Sequence, residues 1–105
     1  METDYEVGEI KDASPGEPHW EIHAPMKDSP IAKSLIAAGV LGECDDLTFF
    51  LQNGKPHIKF RTDSSNPLFV WPKIHQAESI LRRAIRDAER LEKVMKAIEM
   101  AKKNG

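Results

Sequence analysis

The chain has 105 residues, 40% of them hydrophobic and 30% charged, with a formal net charge of −2 and one cysteine. That length supports one compact domain with a modest core, and the composition argues against wholesale disorder. A lone Cys44 excludes an intrachain disulfide and a zinc site built on paired cysteines, and makes a reducing, cytoplasmic setting the default expectation. No apolar run approaches the roughly 18 residues of a membrane span, so no membrane partner is expected. The first residues, Met1-Glu2-Thr3-Asp4-Tyr5, are acidic and lack the apolar stretch of a secretory signal.

The small net charge hides a polarity. Residues 1–17 carry six acids and one base, whereas residues 73–105 carry nine bases and five acids. Such a division suits an external anionic partner, a head that screens the tail, or the alignment of two subunits. Residues 1–18, with Pro15, Gly16 and Pro18 near their end, read as an acidic, mobile arm that has room for a short strand at Tyr5–Ile10. Residues 19–105 read as a single domain.

His19 to Ala24 alternates, with Trp20, Ile22 and Ala24 on one side and His19, Glu21 and His23 on the other. That is the pattern of a half-buried strand, ended by Pro25. Asp28-Ser29-Pro30 opens a helix, because aspartate or serine can cap and proline suits the first helical position. Ile31, Leu35, Ile36 and Ala38 supply its apolar face, and Gly39 can take the left-handed conformation that closes it after about nine residues.

Leu47-Thr48-Phe49-Phe50-Leu51-Gln52 runs into Asn53-Gly54 and then Lys55-Pro56-His57-Ile58-Lys59-Phe60-Arg61. Asn-Gly is the preferred pair for a two-residue hairpin turn, since both central positions need positive φ. The turn sets the register: Gln52 faces Lys55, Phe50 faces His57, Thr48 faces Lys59 and Asp46 faces Arg61. One face is then apolar (Leu47, Phe49, Leu51, Ile58, Phe60, with Pro56) and the other polar. Proline at position 56 implies that the second strand is an edge, at least near the turn. A polar loop follows at Thr62–Asn66. Leu68-Phe69-Val70-Trp71 reads as a short buried strand, because Pro72 disfavours the helical region for Trp71.

From Ile74 the apolar residues recur at three- and four-residue steps: Ile74, Ala77, Leu81, Ala84, Ala88, Leu91, Met95 and Ile98. This predicts one helix over 73–103 with heptad a/d spacing, widened by Ile80, Val94 and Ile85. Its length of about 46 Å exceeds the roughly 33 Å diameter of a compact domain of this size. The expectation is that Ile74–Ala88 packs on the domain's own sheet. About two turns overhang, and Leu91, Val94, Met95 and Ile98 there would meet a second copy. The opposite face carries Arg82, Arg83, Arg86, Arg90 and Lys93, and arginine at this density suits phosphate contacts.

Other chemistry is thinly represented. His19, Glu21 and His23 share a strand face, but this spacing arises easily by chance and has no evident fourth ligand, so no metal is expected. Cys44 lies beside Glu43, Asp45 and Asp46, a poor setting for a thiolate nucleophile. No glycine-rich phosphate loop, nucleophile elbow or Cys-x-x-Cys pair is present. Phe50 falls on the polar hairpin face beside His57, where it is either covered by the fold or an anchor for protein binding. The expectation is an α+β domain: a small antiparallel sheet with a central β-hairpin, one short helix and one long C-terminal amphipathic helix. The function expected is a non-enzymatic regulatory or interaction protein without cofactor, homodimeric through the C-terminal helix and bound to a protein partner. The alternative is a nucleic-acid-binding regulator using the arginine face. Small chains of this kind are frequent among phages and mobile elements, which is an association and not a deduction.

Overall fold

The computed structural model describes residues 5–104 and builds five strands and two helices from them. In chain order these are β1 (Glu6–Glu9), β2 (Trp20–Pro25), α1 (Pro30–Ala37), β3 (Glu43–Cys44), β4 (Leu47–Gln52), β5 (Lys55–Thr62) and α2 (Pro67–Asn104). The strands form one antiparallel sheet in the order β1-β2-β5-β4-β3. The fold is therefore the α+β arrangement expected. The mobile character expected of residues 1–4 lies outside the described residues. Residues 6–9 of the acidic segment form the edge strand β1, and the Tyr5 ring stands edge-on to Trp71 with centroids 5.5 Å apart.

The hairpin of β4 and β5 follows from its turn. Asn53 and Gly54 have φ of 54° and 76°, the left-handed values that a type I′ turn requires. Gln52 pairs with Lys55, Leu51 with Pro56, Phe50 with His57, Phe49 with Ile58 and Thr48 with Lys59. With a side-chain period of two, this register buries Leu47, Phe49, Ile58 and Phe60 together with Ile22 and Ala24 of β2. Leu51, next to the turn, runs past the core and is exposed.

β5 is not an edge strand. It pairs with β4 on one side and with β2 on the other from His57 to Thr62. Pro56 instead marks where the second ladder stops. Met26 donates its N–H to the Pro56 carbonyl at 2.9 Å, and proline has no N–H to return. Only the first two residues of β5 lie beyond β2. A second difference concerns the charges at the far end of the hairpin. Asp45 takes φ of 57° and forms with Asp46 the turn between β3 and β4. Asp46 is thereby turned to Lys73 of α2, while Arg61 reaches Glu21 of β2 at 3.6 Å. The expected Asp46–Arg61 pair does not form, because Asp46 lies in a turn and not in a strand.

Helix α1 is bounded as its sequence implies. Ser29 is the N-cap, with its hydroxyl accepting the Ala32 N–H, and Pro30 takes the first helical position. At the other end Gly39 has φ of 76°; Gly39 N–H bonds the Ile36 carbonyl and Val40 N–H the Leu35 carbonyl. These two bonds are the Schellman closure. Ala32 is the fully buried residue of α1, so the helix sits close to the sheet while Leu35 and Ile36 pack around it.

The largest departure is at residues 68–71, which are helix and not strand. Asn66 caps α2: its Oδ1 accepts the Leu68 N–H at 3.0 Å, and its carbonyl accepts the Phe69 and Val70 N–H groups. Pro67 holds the first helical position. Pro72 then lies inside the helix, where it removes only the bond to the Leu68 carbonyl. Leu68 is 79% exposed, so water can take that bond. Capping outweighed the bias that Pro72 places on Trp71. Val70, at 0% exposure, adds one more step to the buried stripe of Ile74, Ala77 and Leu81.

The long helix outruns the domain by more than expected. Ala84, Ile85 and Ala88 are half-buried, and residues 89–103 are all exposed. The molecule measures 64 × 31 × 24 Å with a radius of gyration of 17.6 Å, against about 13 Å for a compact chain of this length. The free end spans about 24 Å, or roughly four turns.

Removing the α2 cap by Asn66→Ala is expected to cost about 1 kcal/mol in urea unfolding, with Asn66→Asp close to the parent. A strand at 68–71 would leave the alanine variant unaffected. Ile58→Ala, at the centre of the core, is expected to cost about 2–5 kcal/mol in the same measurement.

Candidate functional site

The free end of α2 is the most distinctive surface. Leu91, Val94, Met95 and Ile98 are 50–61% exposed and lie on the continuation of the stripe that the domain buries further back. The stripe exists because the apolar period runs unbroken past Ala88, whereas the sheet and α1 do not. Two depressions adjoin it. One, of about 420 Å³, runs along Ala88, Leu91, Glu92 and Met95. The other, of about 260 Å³, lies between the helices and is lined by Pro30, Ile31, Leu35, Ala88 and Glu92. Ala88 and Glu92 belong to both, so the apolar surface is continuous from α1 to the free end. The α1 residues were missed as site candidates because their spacing reads as core. The signal that could have exposed them is the small side chain of Ala88, which leaves space beside α1.

Leu68 and Phe69, 79% and 61% exposed, form a second apolar patch at the opposite end of α2. They were expected to be buried, and the change from strand to helix turned them outward.

The basic face lies across α2 from the stripe. Arg82, Arg83, Arg86, Arg90 and Lys93 are all exposed. Among the described residues Arg83, Arg86, Arg90 and Lys93 take part in no ion pair, and Arg82 is hydrogen-bonded to Ser79 at 3.4 Å. The acids interleaved with them are partly engaged elsewhere: Glu78 holds His75 at 3.0 Å and Glu92 holds Lys96 at 3.5 Å.

Phe50 stands on the sheet face turned away from the core, and it is half-buried by its own neighbours. The rings of His23 and His57 have centroids 5.8 Å from its own, and the Lys59 ammonium stands 5.6 Å away. These contacts come from β5, which pairs with β4, and from β2 on the far side of β5.

His19, Glu21 and His23 do not assemble as a trio. His19 precedes β2, and its carbonyl accepts the Ile10 N–H at 2.7 Å. His23 Nε2 donates to Glu21 Oε1 at 2.7 Å. This hydrogen bond, aided by the nearby His23, Lys59 and Arg61, holds the Glu21 carboxyl below its ordinary range against the opposing effect of burial. Among the described residues no three histidine, cysteine, aspartate or glutamate side chains gather as a metal site. Cys44 pairs with Leu47 at the sheet edge and packs against the core. Among the described residues no helix is long and apolar enough to cross a membrane. No family model, curated protein or solved structure matches the chain.

A carboxyl held below its unfolded pKa stabilises the fold above that pKa, and the contribution disappears as pH falls through the folded value. Glu21→Gln is therefore expected to lower stability near neutral pH, by at most about 1 kcal/mol for so accessible a pair. The difference from the parent should close as the pH drops below the ordinary carboxylate value of 4.5. Urea unfolding across that range reads both.

Proposed function

We propose that this is a small, non-enzymatic regulatory or interaction protein that acts by protein–protein binding and forms a homodimer through the outer half of α2. The observation that carries the reading is the free helical end, with Leu91, Val94, Met95 and Ile98 half-exposed along one stripe. Soluble monomers seldom hold so many apolar side chains in line on an unsupported helix. Each of the four gains about 1 kcal/mol on losing its remaining exposure, half of the full-burial value.

A second reading has its own observation. The seven basic residues Arg82, Arg83, Arg86, Arg90, Lys93, Lys96 and Lys103 lie on the outward face of α2, interrupted by Glu78, Glu89, Glu92 and Glu99. Most of the arginines have no ion-pair partner. Such a stripe suits the phosphates of a nucleic acid, and it leaves the apolar stripe free for a second copy.

Light scattering is expected to give twice the chain mass at high protein concentration, and the chain mass for the Leu91→Glu/Ile98→Glu double variant. Both sites are solvent-exposed, so circular dichroism should remain that of the parent. A parent that stays monomeric at hundreds of micromolar would overturn the dimer. For the second reading, duplex nucleic acid at about 50 mM salt should shift in a gel with the parent and not with Arg86→Glu/Arg90→Glu. No shift with the parent removes that reading.

A further inference from the structure

We infer that the dimer is antiparallel, and that each copy receives the other's helix end in the groove between α1 and α2. This deepens the homodimer reading and rests on it. The occupant is a second copy of this chain. Its site is the depression lined by Pro30, Ile31, Leu35 and Ala88, and its inserted side chain is Ile98.

The first argument is area. Two free ends that meet only each other share about 24 Å of helix, short of the surface that stable dimers bury. The groove beside α1 supplies the rest, because it is continuous with the stripe through Ala88 and Glu92. Only a helix running in the opposite direction reaches it. A parallel helix carries its own C-terminus away from α1, and the groove stays empty.

The second argument is register. Leu91 and Ile98 occupy d positions, and Ala88 and Met95 occupy a positions. Antiparallel packing sets a against d. With Leu91 beside the second copy's Met95, the second copy's Ile98 falls beside Ala88. The small alanine and the adjoining space of about 260 Å³ then receive the isoleucine. In the same register Val94 lies near its own symmetry mate, so a further apolar side chain is covered at the twofold axis. The layers are Ala88–Ile98, Leu91–Met95, Met95–Leu91 and Ile98–Ala88. Large meets large at the centre and large meets small at the ends, where α1 fills the remaining width.

The third argument is charge. In a parallel pair the g residue Asp87 of each helix faces the e residue Glu92 of the other, so two acid–acid contacts form. In the antiparallel register the flanks bring together Val94 with Val94 on one side and Glu92 with Glu92 on the other. One acid–acid contact remains, between carboxylates that Lys96 of the same helix already holds at 3.5 Å.

Cysteine crosslinking tests the orientation. In a Cys44→Ala background one chain carries Ala88→Cys and a second, differently tagged, carries Ile98→Cys. The two are mixed and oxidised mildly. The antiparallel dimer yields a crosslinked product in the mixture and little in either variant alone. Crosslinking of each variant with itself and not in the mixture overturns the antiparallel arrangement and leaves the dimer standing. Monomers by light scattering for the parent overturn both. A role for the groove is read separately. Ile31→Glu, at the half-buried rim of the groove on α1, should shift the monomer–dimer midpoint to at least tenfold higher concentration, about 1.4 kcal/mol, with the circular dichroism of the parent. An unchanged midpoint overturns the groove as the receiving site.

Discussion

The apolar face of the sheet needs a cover, and the first half of α2 provides it. Val70, Ile74, Ala77 and Leu81 lie along Ile22, Leu47, Ile58 and Phe60, and these residues make up most of the buried core. Without α2 the sheet would keep only the cover that α1 gives to β4 and β5, and without the sheet the helix would have no reason to stop at one orientation. The contact also sets the direction in which the rest of α2 leaves the domain. Because a helix is stiff over this distance, the buried half holds the exposed half at a defined angle. The free end is thus presented by the core and is not a flexible tail.

The same period serves two surfaces. The three- and four-residue recurrence continues without a break from Val70 to Ile98, but the domain supplies partners only as far as Ala88. What changes at that point is the neighbourhood and not the helix. The first half of the stripe is satisfied by intramolecular packing, and the second half is exposed. The alanines at 77 and 88 mark two different uses of a small side chain. Ala77 is fully buried and allows the sheet to approach. Ala88 stands at the end of the domain and leaves a depression beside α1.

Polar detail on the other sheet face has a simpler role. Glu21 engages His23 and Arg61, and His23, His57 and Lys59 lie against Phe50, so that the uncovered face carries its own contacts. Those interactions depend on β5 being central, since β2 and β4 contribute from opposite sides. Pro56 made β5 look like an edge because a missing N–H usually needs solvent. Here it lies where β2 has already turned away, and the ladder ends at a single bond from Met26.

Short-range chemistry was legible in the chain by itself. The Asn53-Gly54 turn and the hairpin register follow from local φ requirements and a period of two. The ends of α1 follow from Ser29, Pro30 and Gly39, and the long helix follows from its repeat. Each depends on residues a few positions apart. The strand order did not follow, because pairing between β2 and β5 joins segments separated by a helix and a hairpin. Nor did the partners of Asp46 and Arg61, which the β3–β4 turn separated. The start of α2 was misread because two local preferences compete there; the Asn66 cap outweighs the Pro72 bias, and burial of Val70 adds to it. The candidate surface divides in the same way. Leu91, Val94, Met95 and Ile98 stand out from periodicity alone. That they lie beyond the last packed residue, beside an open groove on α1, is a matter of where the sheet ends, and no local spacing records it.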